Sequence, residues 1–405
     1  MSECLICQSA IKPFVSFGKM PIANGFLKAG EFPNEYFFDL QVAFCENCGM
    51  VQLLEQPDRE MMFHENYAYF SSISTRMAEH FKSFANMVRD TYLAEDPFII
   101  ELGSNDGIML HHFADAGIRH LGVEPSANVA EAARKRGVDT VCEFFDEALA
   151  ERIKTENGPA HAILAANVMC HIPYLHSVVA GMAKLLAPRG VVIFEDPYLG
   201  DIIEKISYDQ IYDEHVFYFS VASVEYLFAQ HGLEIIDIEP QNVHGGSMRY
   251  IIARKDAYQV SEVVLAQKTR ERELGLNDMG TYHNFRRNVE ASRDTLMTAL
   301  RDLKSRGRRV IGYGATSKST TVTNYCGITP ELVEFISDTT PNKQGKFSPG
   351  THIPIKPYED FSNNPPDVAL LFAWNHGEEI MAKEKGFRDN GGQWLVYVPS
   401  VELIS

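Results

Sequence analysis

The chain of 405 residues lacks any apolar run long enough to span a bilayer, so no membrane partner is expected. Its first residues, Met-Ser-Glu-Cys, lack the basic and apolar stretches of a secretory signal, so a cytoplasmic protein is expected. Positive charge is scarce: 37 Lys and Arg stand against 54 Asp and Glu, a formal net charge of −17. That balance argues against nonspecific nucleic-acid binding, although an acidic chain can still build a small basic pocket for a diphosphate. Internal repeats and low-complexity tracts are absent. The length suits two or three domains with ample cores. Nothing points to an obligate protein partner.

Cysteine is sparse, seven in all, but four of the seven are paired as Cys4-x-x-Cys7 and Cys45-x-x-Cys48. With no export signal, paired spacing favours a metal over disulfides. Two such knuckles complete a tetrahedral site, and four thiolates leave no open position for catalysis, so structural zinc is expected. The long stretch between them must carry structure of its own. Cys142, Cys170 and Cys326 read as small buried hydrophobes without a role.

After a helix-like stretch from Thr75 to about Tyr92, strands and helices alternate. Strand candidates are Phe98–Leu102, His120–Val123, Thr140–Cys142, Ala162–Ala166 and Val191–Glu195, with helices Ala127–Arg136 and His176–Leu186 among them. This order implies a parallel sheet. Leu233–Ile238 and Ser247–Ala253 are expected to close it as an antiparallel pair at the edge. Ser261–Ser305 reads as a helical connector. A shorter series follows: Arg309–Tyr313, Leu332–Ile336, Val368–Phe372 and Trp394–Val398.

Two glycine-bearing loops follow strand candidates, Glu101-Leu-Gly-Ser-Asn-Asp-Gly107 and Gly312-Tyr-Gly-Ala-Thr-Ser-Lys318. Backbone amides at such turns, with a helix N-terminus behind them, favour anionic ligands. Two loops in different contexts suggest two different ligands. In the first, Gly103 allows a sharp turn, and Asn105 tolerates the left-handed region. Glu124 ends the next strand at about the spacing of twenty residues used by acids that accept ribose hydroxyls. The alternative is an ordinary turn with a solvated glutamate. Neither loop completes Gly-x-Gly-x-x-Gly, which weighs against the rival reading, an NAD-dependent nucleotide-sugar oxidoreductase. The Glu101-x-Gly103 form and Leu185-Leu-Ala-Pro-Arg-Gly190 resemble class I S-adenosylmethionine-dependent methyltransferases.

His171, in Asn167-Val-Met-Cys-His-Ile-Pro173, falls at the C-terminal edge of the fourth strand, where open α/β sheets place ligands. Site and core readings both remain open for it. The densest chemistry is Ile206–Ser220, with Tyr208, Tyr212, Asp213, Glu214 and His215 close together. A phenol or carboxylate there can orient an imidazole and tune it. An aromatic-rich helix entrance fits the residues equally well.

Together, the two cysteine pairs, Glu101–Gly107, Tyr212-Asp-Glu-His-Val-Phe-Tyr218, His244-Gly-Gly-Ser-Met-Arg249 and Gly312–Lys318 resemble the nucleotide-sugar C-methyltransferase family over essentially the whole chain. The resemblance implies an α/β protein of three parts. Residues 1–75 would be a small zinc-binding domain. Residues 76–260 would be a class I Rossmann-like domain binding S-adenosylmethionine. Residues 261–405 would be the connector and a smaller Rossmann-like domain binding a nucleotide-linked ketosugar. The implied reaction is methylation at C-3′ of a 4-keto-6-deoxyhexose carried by dTDP or GDP. His215 is the implied base, with Tyr212, Glu214, His171 and Tyr67 around it. The cofactor is expected against Glu101, Gly103, Asn105, Asp106, Glu124 and Asn167. The nucleotide sugar is expected against Ser247 and Arg249 and against Gly314, Ala315, Thr316, Ser317 and Lys318, although Lys318 also suits a solvated helix position. A C4 ketone acidifies the C3 proton, so one positioned base suffices to form an enolate.

Overall fold

A computed structural model describes residues 2–58, 75–93 and 95–405, and their strands gather into three sheets. Tyr67 lies outside the described residues. The first sheet is antiparallel and runs Ser2–Glu3, Ala10–Pro21, Phe37–Phe44, Val51–Leu53, Phe217–Tyr218. Its long hairpin, Ala10–Pro21 against Phe37–Phe44, is the structure between the cysteine pairs. Phe38, Leu40, Val42 and Phe44 are buried at a period of two, as a half-covered strand requires. The fifth strand comes from the Tyr212–Tyr218 segment: Phe217 pairs with Gln52 and Tyr218 with Val51.

The second sheet has seven strands in the order Leu233–Gln241, Ser247–Arg254, Leu186–Pro197, Ala160–Ala166, Phe98–Leu102, Arg119–Val123, Thr140–Val141. Phe98–Leu102 is buried throughout because helices cover both faces of this sheet. All neighbours are parallel except those of Ser247–Arg254, which runs antiparallel on both sides. The closing pair is therefore antiparallel as expected, but Ser247–Arg254 is inserted and only Leu233–Gln241 forms the edge. The strand begins earlier than the candidate Val191–Glu195: Leu186, where the helix candidate ended, already belongs to it and pairs with Ala160 before a register shift.

The connector is two helices, Glu262–Glu273 and Met279–Ser305. The longer one buries Tyr282, Phe285, Val289, Leu296 and Leu300 on one stripe. Its Tyr282 ring lies 4.4 Å from Phe44 and 4.9 Å from Phe14, so the connector packs on the first sheet. The third sheet runs Ile355–Lys356, Ile336–Ser337, Val310–Tyr313, Val368–Leu371, Gln393–Val396, Glu402–Ile404, parallel except for the last pair. Expected strand Leu332–Ile336 is displaced, because the chain turns at 331–333 and only Ile336–Ser337 pairs. Among the described residues, no helix is long and apolar enough to cross a membrane.

Candidate active site

Three loops, one from each sheet's neighbourhood, converge on residues 207–216. The 3₁₀ turn Tyr208–Gln210 is held from the third sheet: Asp209 Oδ2 accepts from Trp374 Nε1 and from the Tyr397 hydroxyl, each at 2.6 Å. Next along, Thr321 Oγ1 donates to the Ile211 carbonyl at 2.8 Å. Its neighbour Thr320 donates to the Ala23 carbonyl at 2.8 Å. Ala23 N in turn donates to Asp213 Oδ1 at 2.9 Å, and Asn24 Nδ2 to Glu214 Oε1 at 2.7 Å. One helix turn of the C-terminal domain thus clamps both the Tyr212–His215 segment and the N-terminal loop facing it.

Within the clamp, His215 Nδ1 lies 2.8 Å from the Gln210 carbonyl, which can only accept. Nδ1 therefore carries the proton, and the lone pair sits on Nε2, 2.7 Å from the Tyr212 hydroxyl that donates to it. Burial pushes the His215 imidazole well below its usual range, helped by His171 and the charge of Lys318. This histidine is neutral near pH 7. The His171 ring stacks on it with centroids 5.2 Å apart, so the two histidines lie side by side. Tyr212 orients the ring; Glu214 does not, since its carboxylate is bound by Asn24. Burial raises Glu214 above the ordinary carboxylate range, opposed by Asn24 and the Lys343 ammonium.

The first glycine loop lies where the strand order reverses, between Phe98–Leu102 and Ala160–Ala166. Gly103 has φ +61 and Asn105 φ +47, so both occupy the left-handed region the sequence suggested. Asn167 faces them from the next strand end, also left-handed at φ +56. A Cβ on Gly103 would meet Val168 Cγ2 at 2.3 Å, so only glycine fits. Burial, then the neighbouring Glu124, drives Glu101 well up, and its Oε2 has no hydrogen-bond partner among the described residues. Asp106 lies 3.5 Å from Arg136. Glu124 accepts from Asn105 N at 3.0 Å and Ser126 N at 2.8 Å, leaving its remaining lone pairs for a ligand.

The nucleotide-sugar expectations fare unevenly. Arg249 is engaged within the protein: Nε and Nη2 donate to Glu195 Oε2 at 3.1 and 2.8 Å, Nη1 to Glu239 at 2.8 Å, and the guanidinium covers Phe84 at 3.8 Å. Two carboxylates balance its charge in this arrangement. Ser247 likewise donates to the Val243 carbonyl. In the second glycine loop, Gly314 N donates to Ser337 O, Ala315 N to Asp338 Oδ2 and Thr316 N to Gly314 O. The expected anion cradle at Gly314–Ser317 is therefore reduced to the first turn of helix Ser317–Cys326, capped by Thr316. Lys318 on that turn is 8 % exposed rather than solvated, and burial lowers its ammonium below the usual lysine range.

No motif or spacing singled out Asn24, Gln210, Thr320, Thr321 or Lys343. Lys343 Nζ donates to the Ala315 carbonyl at 2.7 Å and also lies near Glu214.

The four cysteines converge: Sγ atoms of Cys4 and Cys48 are 3.5 Å apart, those of Cys7 and Cys45 3.3 Å, and all four lie within 4.8 Å of one another. A tetrahedral zinc with bonds of about 2.3 Å needs sulfur separations of roughly 3.8 Å. The contact with Cys48 holds the Cys4 thiol down at about 5, and the same contact drives Cys48 far up. Four thiolates coexist there only around a cation, so the donor set fits a metal.

Three family descriptions match the chain: "Putative zinc binding domain" over residues 4–63, "Methyltransferase domain" over 66–238 and "C-methyltransferase C-terminal domain" over 242–399. C-methyltransferase NovU of Streptomyces niveus is 34% identical over 409 residues, covering 100% of this chain and 97% of that protein. Among solved structures, an S-adenosylmethionine-dependent methyltransferase from Anabaena variabilis is 16% identical at a TM-score of 0.35, covering 44% of this chain and 85% of that one. The PH0226 protein of Pyrococcus horikoshii is 15% identical at a TM-score of 0.37, covering 46% and 95%.

Proposed function

The chain belongs to the C-methyltransferase family, and from that premise we propose that it methylates C-3′ of a nucleotide-linked 4-keto-6-deoxyhexose carried by dTDP or GDP. The observation that carries this reading is the His215 tautomer. A buried neutral imidazole, fixed at Nδ1 by Gln210 and aligned at Nε2 by Tyr212, is a base built for a carbon acid. Oxygen or nitrogen methylation needs no such group to the same degree, because those atoms already carry lone pairs. Family membership also replaces the dinucleotide oxidoreductase reading.

His215 Nε2 takes the C3 proton, directly or through the Tyr212 oxygen to which it is bonded. Tyr212 then donates to the enolate oxygen as charge develops there. The Lys318 ammonium raises the local positive potential, favouring the enolate and holding His215 neutral beforehand. His171 stacks against the base and lines the sugar pocket. S-adenosylmethionine, when bound at Gly103, Asn105, Asn167 and Glu124, supplies an electrophilic methyl group. The orphaned Glu101 Oε2 beside that loop supports a polar ligand there. The nucleotide supplies remote binding energy at the N-terminus of helix Ser317–Cys326. In the N-terminal module the ion is zinc, held for structure alone.

The test is incubation with S-adenosylmethionine and a panel of dTDP- and GDP-linked 4-ketosugars, read by mass and proton NMR. A gain of one methyl on C3 supports the reading. Methylation at oxygen, or of sugars lacking the ketone, defeats it. Lys318→Gln should raise KM for the nucleotide sugar, by the roughly 1.5–3 kcal/mol of a charged hydrogen bond, with cofactor affinity unchanged.

A further inference from the structure

We propose that the catalytic pocket contains a second metal site, formed by Cys170, His171 and His215, and that zinc(II) bound there inhibits the enzyme. Cys170 and His171 lie on the 3₁₀ turn Met169–His171 beyond strand Ala160–Ala166, and His215 comes from the clamped segment opposite. One donor atom from each lies within 4.8 Å of the others, the same bound that contains the four-cysteine cluster. Ligands on a tetrahedral zinc are separated by roughly 3.3–3.8 Å, so a modest contraction closes the set. One thiolate with two imidazoles is a borderline-soft donor set that prefers zinc to magnesium or calcium.

The surroundings already have the form of a metal site's outer contacts. Metal-bound imidazoles characteristically donate their other ring N–H to a carbonyl or carboxylate, which fixes the ring. His215 Nδ1 has such a contact with the Gln210 carbonyl at 2.8 Å. Its Nε2 lone pair is then offered to whichever acid arrives: the Tyr212 hydroxyl at rest, a substrate proton, or a cation. These are mutually exclusive, so metal occupancy removes the base. On binding, the Cys170 S–H bond breaks, its proton leaves to buffer, and the thiolate pair forms the metal–sulfur bond without any change of oxidation state. Three protein ligands leave one position for water. Cys170 as a mere core residue, 1% exposed, predicts none of this.

The binding half of this proposal stands apart from the reaction; the inhibition half rests on the proposed function. The experiment uses full-length protein whose four-cysteine module is filled with zinc, titrated with cobalt(II). One cobalt per chain is expected, with a thiolate-to-cobalt charge-transfer band. Cys170→Ser should abolish the band while the protein keeps a cooperative melting transition. Added zinc should suppress wild-type turnover by about 10²-fold or more, the usual loss of a general base, and leave Cys170→Ser active. X-ray absorption of wild type at saturating zinc needs no variant: average coordination should shift from all sulfur to mixed sulfur and nitrogen. The site is overturned by an all-sulfur signal at saturation, or by a cobalt band that persists in Cys170→Ser. Binding that leaves turnover untouched overturns the inhibition. A bound ion in protein that methylates no ketosugar would instead defeat the reaction and leave the site standing.

Discussion

The Tyr212 hydroxyl donates to His215 Nε2 at 2.7 Å, so the lone pair that the proposed base would use is already occupied. On the proposed mechanism, proton removal from carbon begins by displacing the phenol or by passing through it. In His215→Asn both routes lose their terminal acceptor. Turnover should fall by about 10²–10⁴-fold. In heavy water, wild type with ketosugar and S-adenosylhomocysteine should wash deuterium into C3, and the variant should not. Tyr212→Phe separates the routes: exchange that survives it means His215 acts directly. A His215→Asn protein that exchanges at the wild-type rate would remove His215 from the reaction.

At Gly103, φ +61 and the 2.3 Å approach of a Cβ to Val168 act together. Gly103→Ala should weaken S-adenosylmethionine binding through displacement of the loop. Val168→Ala removes the opposing methyls, so the double variant should recover part of the affinity, measured calorimetrically. The left-handed backbone strain, on the order of 1–2 kcal/mol, remains unrelieved. No recovery at all would mean that Val168 is not the obstacle.

The metal module is also a mechanical support. Ile6, between Cys4 and Cys7, accepts from His176 Nε2 at 2.7 Å on the helix Leu175–Leu185, and Leu5 N donates to Gln52. Cys45→Ser should therefore lose the ion and destabilise the hairpin, since structural zinc contributes roughly 10–16 kcal/mol of apparent binding energy in small modules. Protein purified without chelator should contain about one zinc per chain from this module. Metal analysis well below that level would remove the zinc assignment.

Thr321→Val keeps the shape of helix Ser317–Cys326 and deletes the donor to the Ile211 carbonyl. A buried acceptor left unsatisfied costs about 1–3 kcal/mol. Because Ile211 precedes Tyr212, kcat should fall more than KM rises, and Thr321→Ser should restore it. Equal behaviour of the Val and Ser variants would show that the clamp does not govern the base.

His244 gives a pH signature. Burial, then the Lys318 charge, pushes it down to about 3 from a reference of 6.5, and its Nε2 has no hydrogen-bond partner among the described residues. Above pH 6.5 the folded and unfolded chains both leave it neutral, and it adds no slope. Between pH 6.5 and about 3 the unfolded chain binds a proton that the folded chain refuses. Stability therefore falls as pH falls, by up to about 1.4 kcal/mol per pH unit. Asparagine tolerates the left-handed φ of +52 at this position. His244→Asn should reduce the loss in urea midpoint between pH 6.5 and 5, and an unchanged slope would assign the acid sensitivity elsewhere.

Much of this was legible in sequence, where neighbours in the chain determine the outcome. The cysteine pairs, the left-handed Gly103 and Asn105, and the strand Phe98–Leu102 depend on local spacing and periodicity. What escaped depends on contacts between distant segments. Asn24 meets Glu214 across a separation of 190 residues, and Thr320 meets Ala23 across 297, with no pattern in either segment to announce it. A guanidinium after two glycines suits an anion, but the carboxylates Arg249 meets in the fold, Glu195 and Glu239, are set by strand register, which the motif does not carry. Tyr67 lies outside the described residues, so its expected place at the site stays with the sequence.

Phe217 and Tyr218 complete the first sheet with only two rungs, against Gln52 and Val51. The metal module is consequently no detachable cassette. Transplanting it from a relative would present a foreign edge to this short strand. A slip of one residue would send Phe217 and Tyr218 to opposite faces and rotate His215, two positions earlier, out of its pocket. Exchanging the module whole therefore puts the placement of His215 at risk, whereas changes within its loops leave the two-rung seam intact.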